Sequence, residues 1–282
     1  MNSIAQVDGN AQGVKMSIGK FGLRASFKGL KSGKFHGGKR GKIEGFSKSS
    51  LRRLRELLWG KTIFGCHQHG VTLTVPWTDS DFDSAAEFRE SLNRFAQMFK
   101  REFPHSAFIY RVELQQRKMP HLHAVAYIAD DDFRNTCNFL EWYSISWFRS
   151  FKGNVHGGSL TGYFKHGVDY KPLEDNPTRL MRYLCDHASK RKQAQCGWKG
   201  RQWGVIGSSR LQDMPTYDLP PFPSERAEAC FWRYISRVAS YWAKADCPFG
   251  LKRIPCRRKW GVTFLPGGSE TARKCFEAAL QH

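Results

Sequence analysis

His121 and His123 flank Leu122 in the run Met119-Pro120-His121-Leu122-His123-Ala124-Val125-Ala126-Tyr127-Ile128. On a β-strand alternate side chains face the same way, so the two imidazoles point to one side. A second strand-like run, Phe108 to Gln115, lies just upstream, and the connector from Gln116 to Pro120 is short enough to turn a hairpin. Pairing Gln115 with His121 would set Glu113 opposite His123 on the shared face. One carboxylate and two imidazoles would then converge as ligands for a divalent metal, with coordination positions left open. His67-Gln68-His69 is a second pair of the same spacing. It has no acidic neighbour in sequence and is expected to close a loop ahead of the strand at Val71.

A second group of residues adds a nucleophile. In the run from Arg179 to Gln193, helical spacing puts Arg179, Tyr183, His187 and Lys190 on one face, with Leu180, Leu184 and Ala188 as an apolar flank. A tyrosine among cations is unusual for a core aromatic. Positive neighbours favour the phenolate and would hold a phosphate near its oxygen. Beside a metal that withdraws charge from a phosphodiester, the phenol oxygen can attack phosphorus in line and expel a 3′-hydroxyl. The product is a 5′-phosphotyrosyl link that keeps the bond energy for later rejoining.

The rest of the chain must position these groups. Its 282 residues hold 40% apolar side chains and nine tryptophans, enough for a packed core. With 45 Lys and Arg against 25 Asp and Glu the net charge is +20, which points to a polyanionic partner. No apolar run approaches the roughly 18–20 residues of a membrane span, and the start of the chain lacks a signal-type apolar segment. The eight cysteines are scattered without a CxxC pair, which suits reduced thiols in a cytoplasm.

Residues 1–55 are rich in Gly, Lys and Ser and are expected to form a basic, weakly ordered arm. Gly33, Gly38 and Lys39 nearly spell a phosphate-binding loop, but Arg40 stands where Ser or Thr should hold magnesium. An ATP-driven helicase module is therefore not expected. Residues 56–212 carry the candidate chemistry. Helical spacing is read at Ser50–Leu58, and a strand at Val71–Val75. Asp83 or Ser84 is expected to cap a helix with the stripe Phe88, Leu92, Phe95 and Phe99. Short strands are expected near Val168–Lys171 and at Trp203–Ile206, and a helix is expected to begin at Asn176-Pro177. Residues 213–282 are expected to hold a Pro-rich linker and a basic helical extension whose first helix is capped by Ser224. The interleaving suggests an α+β domain with a central antiparallel sheet flanked by helices.

Three segments, in order, resemble the HUH (His-hydrophobic-His) endonucleases that initiate rolling-circle replication in phages and plasmids. Gly70 to Pro76 resembles their first motif, Glu113 with His121-Leu122-His123 the metal motif, and Tyr183 with Lys190 the nucleophile motif. Gly200-Arg201-Gln202-Trp203-Gly204 also looks like the stretch after the tyrosine in some initiators. The resemblance spans roughly residues 62–207. It implies an RRM-like palm with the metal motif on a middle strand and the tyrosine on a nearby helix. It also implies Mg2+ or Mn2+ as the ion, held by His121, His123 and Glu113, with Glu113 alternatively a base behind the ligands. Lys190, with His187 as substitute, would steady the phosphate. Many members carry lysine three or four residues after the tyrosine, whereas Asp186 and His187 stand there in this chain. His187 also occupies the place of a second tyrosine, so one nucleophile is expected, and termination would need a second protomer or an activated water.

The implied protein nicks one strand of origin or single-stranded DNA and later rejoins it. Host helicase and polymerase would be its partners in the bacterial cytoplasm. Arg179 and Arg201 would touch phosphates, while Trp203 would either stack a base or plug the core. The rivals are a single-tyrosine HUH transposase, acting at paired element ends, and a basic DNA-binding protein with no chemistry. A barrel metallohydrolase would need strand–helix repeats that this chain lacks.

Overall fold

Alternating apolar strands and helices with one apolar stripe build the chain into two units, Met1–Lys39 with Pro215–His282, and Arg40–Met214. The computed structural model describes residues 14–27, 47–75, 85–114, 119–134, 138–151, 163–164, 166–173, 181, 184–185, 201–246 and 261–282. In chain order its elements begin with β1 (Val14–Gly19), β2 (Gly22–Phe27), α1 (Lys48–Gly60), β3 (Lys61–Thr62) and β4 (Cys66–Thr74). Next come α2 (Ala85–Glu102), β5 (Ala107–Leu114), β6 (Pro120–Ala129), α3 (Asp130–Arg134), α4 (Phe139–Ser150) and β7 (Val168–Pro172). The last are β8 (Trp203–Ile206), β9 (Gln212–Asp213), β10 (Thr216–Asp218), α5 (Glu225–Asp246), β11 (Gly261–Phe264) and α6 (Gly268–Ala279).

The larger unit is an α+β domain around a five-stranded sheet of order β7-β4-β6-β5-β8. Every pairing in it is antiparallel, with β6 in the middle. One face is backed by α2 and α4. Phe88, Leu92, Phe95 and Phe99 of α2 and Phe139, Tyr143 and Trp147 of α4 pack there against Val71, Leu73, Phe108, Val112, Leu122, Ala124 and Ala126. The helix ends suit this packing. Glu87 in the first turn of α2 and Lys100 and Arg101 in its last complement the macrodipole. Asn138 caps α4 by accepting from the Glu141 N–H at 3.1 Å. On the other face Ile109, Val125 and Tyr127 are fully buried. There Trp203 of the edge strand β8 donates its indole N–H to Ser50 Oγ of α1 at 2.7 Å.

The smaller unit is a four-stranded antiparallel sheet of order β10-β1-β2-β11. Met16, Ile18, Leu23 and Ala25 pack against Phe231 and Ile235 of α5 and Ala272 and Phe276 of α6. The expectation of a weakly ordered arm over residues 1–55 therefore fails for residues 14–27. Those strands pair with β10 and β11, far along the chain, so their folding does not depend on local composition. Likewise the expected linker after residue 213 contains β10, held to β1 by Lys15–Asp218 at 2.6 Å and Ser17–Asp218 at 2.7 Å. The extension is not purely helical, because β11 closes the sheet. Ser224 does cap α5, accepting from the Ala227 N–H at 3.0 Å. Among the described residues Cys66, Cys185, Cys230 and Cys275 carry free thiols, and no described helix is long and apolar enough to cross a membrane.

Candidate metal centre

The hairpin of β5 and β6 forms, with its register shifted by two from the expected one. Glu113 lies opposite His121 and Arg111 opposite His123, where Gln115–His121 pairing would have put Glu113 opposite His123. A shift of two keeps every side chain on its face, so the three groups still converge. β6 is buried from Ala124 through Ala129 and opens only where His121 and His123 stand. Each histidine is 12% exposed and Glu113 5%, so the cluster sits at the rim of the sheet within reach of a ligand.

The three donor atoms form a small triangle. Nε2 of His121 and Nε2 of His123 lie 2.7 Å apart. Glu113 Oε2 is 3.4 Å from His123 Nε2 and 4.0 Å from His121 Nε2. The rings stand almost perpendicular, at 87° with centroids 4.4 Å apart. Three electron-pair donors this close repel unless a cation or a shared proton lies between them. Two imidazoles and a carboxylate are a donor set suited to divalent first-row metals and magnesium, and Glu113, His121 and His123 form a possible metal-holding group.

Two neighbours that sequence reasoning missed orient the ligands. Thr72 Oγ1 on β4 lies 3.1 Å from His123 Nδ1. With the proton on Nδ1 donated to that hydroxyl, Nε2 presents its lone pair inward. Arg111 is fully buried, and its Nη1 is 3.0 Å from Glu113 Oε1, leaving Oε2 to face the histidines. Both lie on the face of the two histidines by simple period-two counting, which was the available signal. Thr72→Val keeps the strand residue's shape and removes the hydroxyl. It is expected to weaken Mn2+ binding about tenfold, read from the electron paramagnetic resonance of free Mn2+ during titration.

The rival pair at residues 67 and 69 is placed differently. Both residues belong to β4, not to a loop before it, because the strand begins at Cys66. His69 is 2% exposed, among Phe133, Phe139 and Tyr170 on the helix-backed side. His67 stacks on Phe133 at 3.7 Å and pairs with Asp130 at 3.4 Å. Burial, with a smaller contribution from the charge of His67, pushes the His69 pKa down from 6.5 to about 4. Between those values the unfolded chain takes up a proton that the folded one refuses. Stability is therefore full above pH 6.5 and falls as the pH drops toward 4, by roughly 3 kcal/mol. His69→Gln is expected to remove that part of the slope, measured as urea midpoints at pH 7 and pH 4.5.

Of the other expected site residues, Tyr183, His187, Lys190 and Arg179 lie outside the described residues. So do the near phosphate loop at 33–39, the Asp83 or Ser84 cap and the helix start at Asn176-Pro177. Their chain neighbours Met181, Leu184 and Cys185 are helical and buried. Arg111 Nη1 donates to the Leu184 carbonyl at 2.9 Å. Trp203 is half-buried on its Ser50 hydrogen bond, while Arg201 is exposed. Tyr110, Tyr143, Tyr163 and Tyr170 belong to the helix-backed core. Tyr127, on the centre's own face, is fully buried, and burial holds its hydroxyl well above the ordinary tyrosine range.

A helix-backed antiparallel sheet with a two-imidazole, one-carboxylate cluster at its rim defines a domain built around a candidate divalent-metal centre. Residues 68–192 match the family model of the replication-associated proteins of ORF2 type, a stretch that includes Glu113, His121, His123 and Tyr183. This part of the chain is thus similar to replication-associated proteins. No curated protein and no solved structure matches the chain.

Proposed function

We propose that the chain is a replication initiator that nicks one DNA strand at an origin by tyrosine attack, with Mg2+ or Mn2+ at Glu113, His121 and His123. The observation that carries this reading is the triad at the open end of β6, tied through Arg111 to Leu184, the chain neighbour of Tyr183. The replication-associated match over residues 68–192 supports it. So does elimination among the larger unit's described tyrosines. Four serve the helix-backed core and Tyr127 is sealed from solvent, which leaves Tyr183 as the candidate nucleophile.

When bound, the ion draws charge from the non-bridging oxygens of the scissile phosphate. The Tyr183 phenol oxygen forms the new bond to phosphorus, and the bond from phosphorus to the 3′-oxygen breaks. The phenol's proton is lost and the departing 3′-oxygen takes one up, so the products are a 5′-phosphotyrosyl enzyme and a free 3′-hydroxyl. Lys190, with His187 as substitute, steadies the phosphate, and Arg179 and Arg201 bind the flanking backbone. The net charge of +20 favours DNA through counterion release. The 3′-hydroxyl then primes a host polymerase behind a host helicase, and reversal of the attack rejoins the strand.

The test is a denaturing gel of protein incubated with end-labelled single-stranded origin oligonucleotides. A covalent adduct that forms in Mn2+ and is absent in EDTA is the expected result. Salt-sensitive binding with no adduct on any origin strand would leave only a DNA-binding protein.

A further inference from the structure

We infer that Arg111 is a positioning residue that locks the nucleophile-bearing segment to the carboxylate of the metal centre. This deepens the proposed nicking reaction and rests on it. Arg111 is 1% exposed, an unusual burial for arginine. It stands on β5 in one row with His123 of β6, Thr72 of β4 and Trp203 of β8. One nitrogen, Nη1, spans the gap, 3.0 Å from Glu113 Oε1 and 2.9 Å from the Leu184 carbonyl. Its two hydrogens serve both acceptors at once, as the guanidinium fork permits.

The charge of Arg111 holds Oε1 of Glu113, so the carboxylate cannot rotate and Oε2 stays directed at the histidines. The same nitrogen fixes the backbone one residue beyond Tyr183, so the attacking oxygen and the ligand set share one anchor. Placement errors of about 1 Å in such a pair can cost about a hundredfold in rate. A purely structural arginine would have no reason to divide one nitrogen between a metal ligand and the nucleophile's strand of chain.

Arg111→Lys keeps the charge but loses the fork and shortens the reach. Three readouts on the full chain test the assignment. Mn2+ affinity without DNA, from paramagnetic resonance titration, is expected within about threefold of wild type. The rate of adduct formation at saturating DNA and Mn2+ is expected to fall at least about tenfold, with the DNA concentration for half-maximal rate unchanged. Amide exchange in the peptide covering 181–185 is expected to speed up. If Arg111→Lys melts more than about 10 °C below wild type, Arg111→Gln carries the same three measurements.

An unchanged rate and unchanged exchange would overturn the inference. So would a loss of Mn2+ affinity that accounts for the whole loss of rate, because Arg111 would then only orient a ligand. Tyr183→Phe, run alongside, separates the two levels. Adducts surviving in Tyr183→Phe sink the nicking reading itself, whereas their loss there with a wild-type rate in Arg111→Lys sinks only the anchor.

Discussion

Tyr183→Phe will abolish the detergent-resistant protein–DNA adduct, cutting its formation at least about a thousandfold. Binding of the same oligonucleotide is expected to stay within about twofold, since one hydroxyl contributes little against many phosphate contacts. The replacement removes one oxygen and keeps the ring, so the fold has no reason to change. The size of the effect comes from the chemistry: without that oxygen no phosphotyrosyl bond can form, and another tyrosine cannot substitute. Tyr110, Tyr143, Tyr163 and Tyr170 face the wrong side of the sheet, and Tyr127 is sealed within it. Denaturing gels of wild type and variant, with filter binding as the control, decide the matter. Adducts at the wild-type level would assign the nucleophile elsewhere.

The second large effect lies at the metal. His123 Nε2 is the hub of the triangle, 2.7 Å from His121 and 3.4 Å from Glu113, and Thr72 orients its ring. His123→Ala is expected to lower Mn2+-dependent adduct formation by about a hundredfold or more, exceeding the loss typical of an outer-shell partner. Salt-sensitive DNA binding should survive, because the variant removes no fixed cation from the binding surface. His67→Gln, which alters the other His-x-His pair, should leave adduct formation within about twofold, since His67 stacks on Phe133 away from the cluster's face. Equal losses in both variants would dissolve the assignment of the centre.

Much of this site was legible because β-strand alternation alone puts residues 121 and 123 on one side, and the short connector points to Glu113 on the neighbouring strand. The register was off by two because alternation fixes a face but not which rungs pair; turn geometry and the flanking strands set that. Arg111 escaped notice because a charge in a strand suggests an exposed position. Its burial depends on an acceptor 73 residues downstream, the Leu184 carbonyl. The same blindness to distance hid the smaller unit. Met16, Ile18, Leu23 and Ala25 alternate as strand residues should, yet the glycines and lysines around them dominated the composition. Their partners in β10 and β11 lie toward the opposite end of the chain. The helix-backed core was easier, since the stripe of Phe88, Leu92, Phe95 and Phe99 shows its burial in its own spacing.

Mass-spectrometric mapping of the DNA-bearing peptide tests the central claim most directly. Wild-type protein is reacted with a single-stranded origin oligonucleotide in Mn2+, digested with nuclease and protease, and sequenced by fragmentation. The account predicts a nucleotide joined through its 5′-phosphate to Tyr183, and a free 3′-hydroxyl on the released strand. A nucleotide on any other residue, or a cleaved strand with no protein attached, would contradict it.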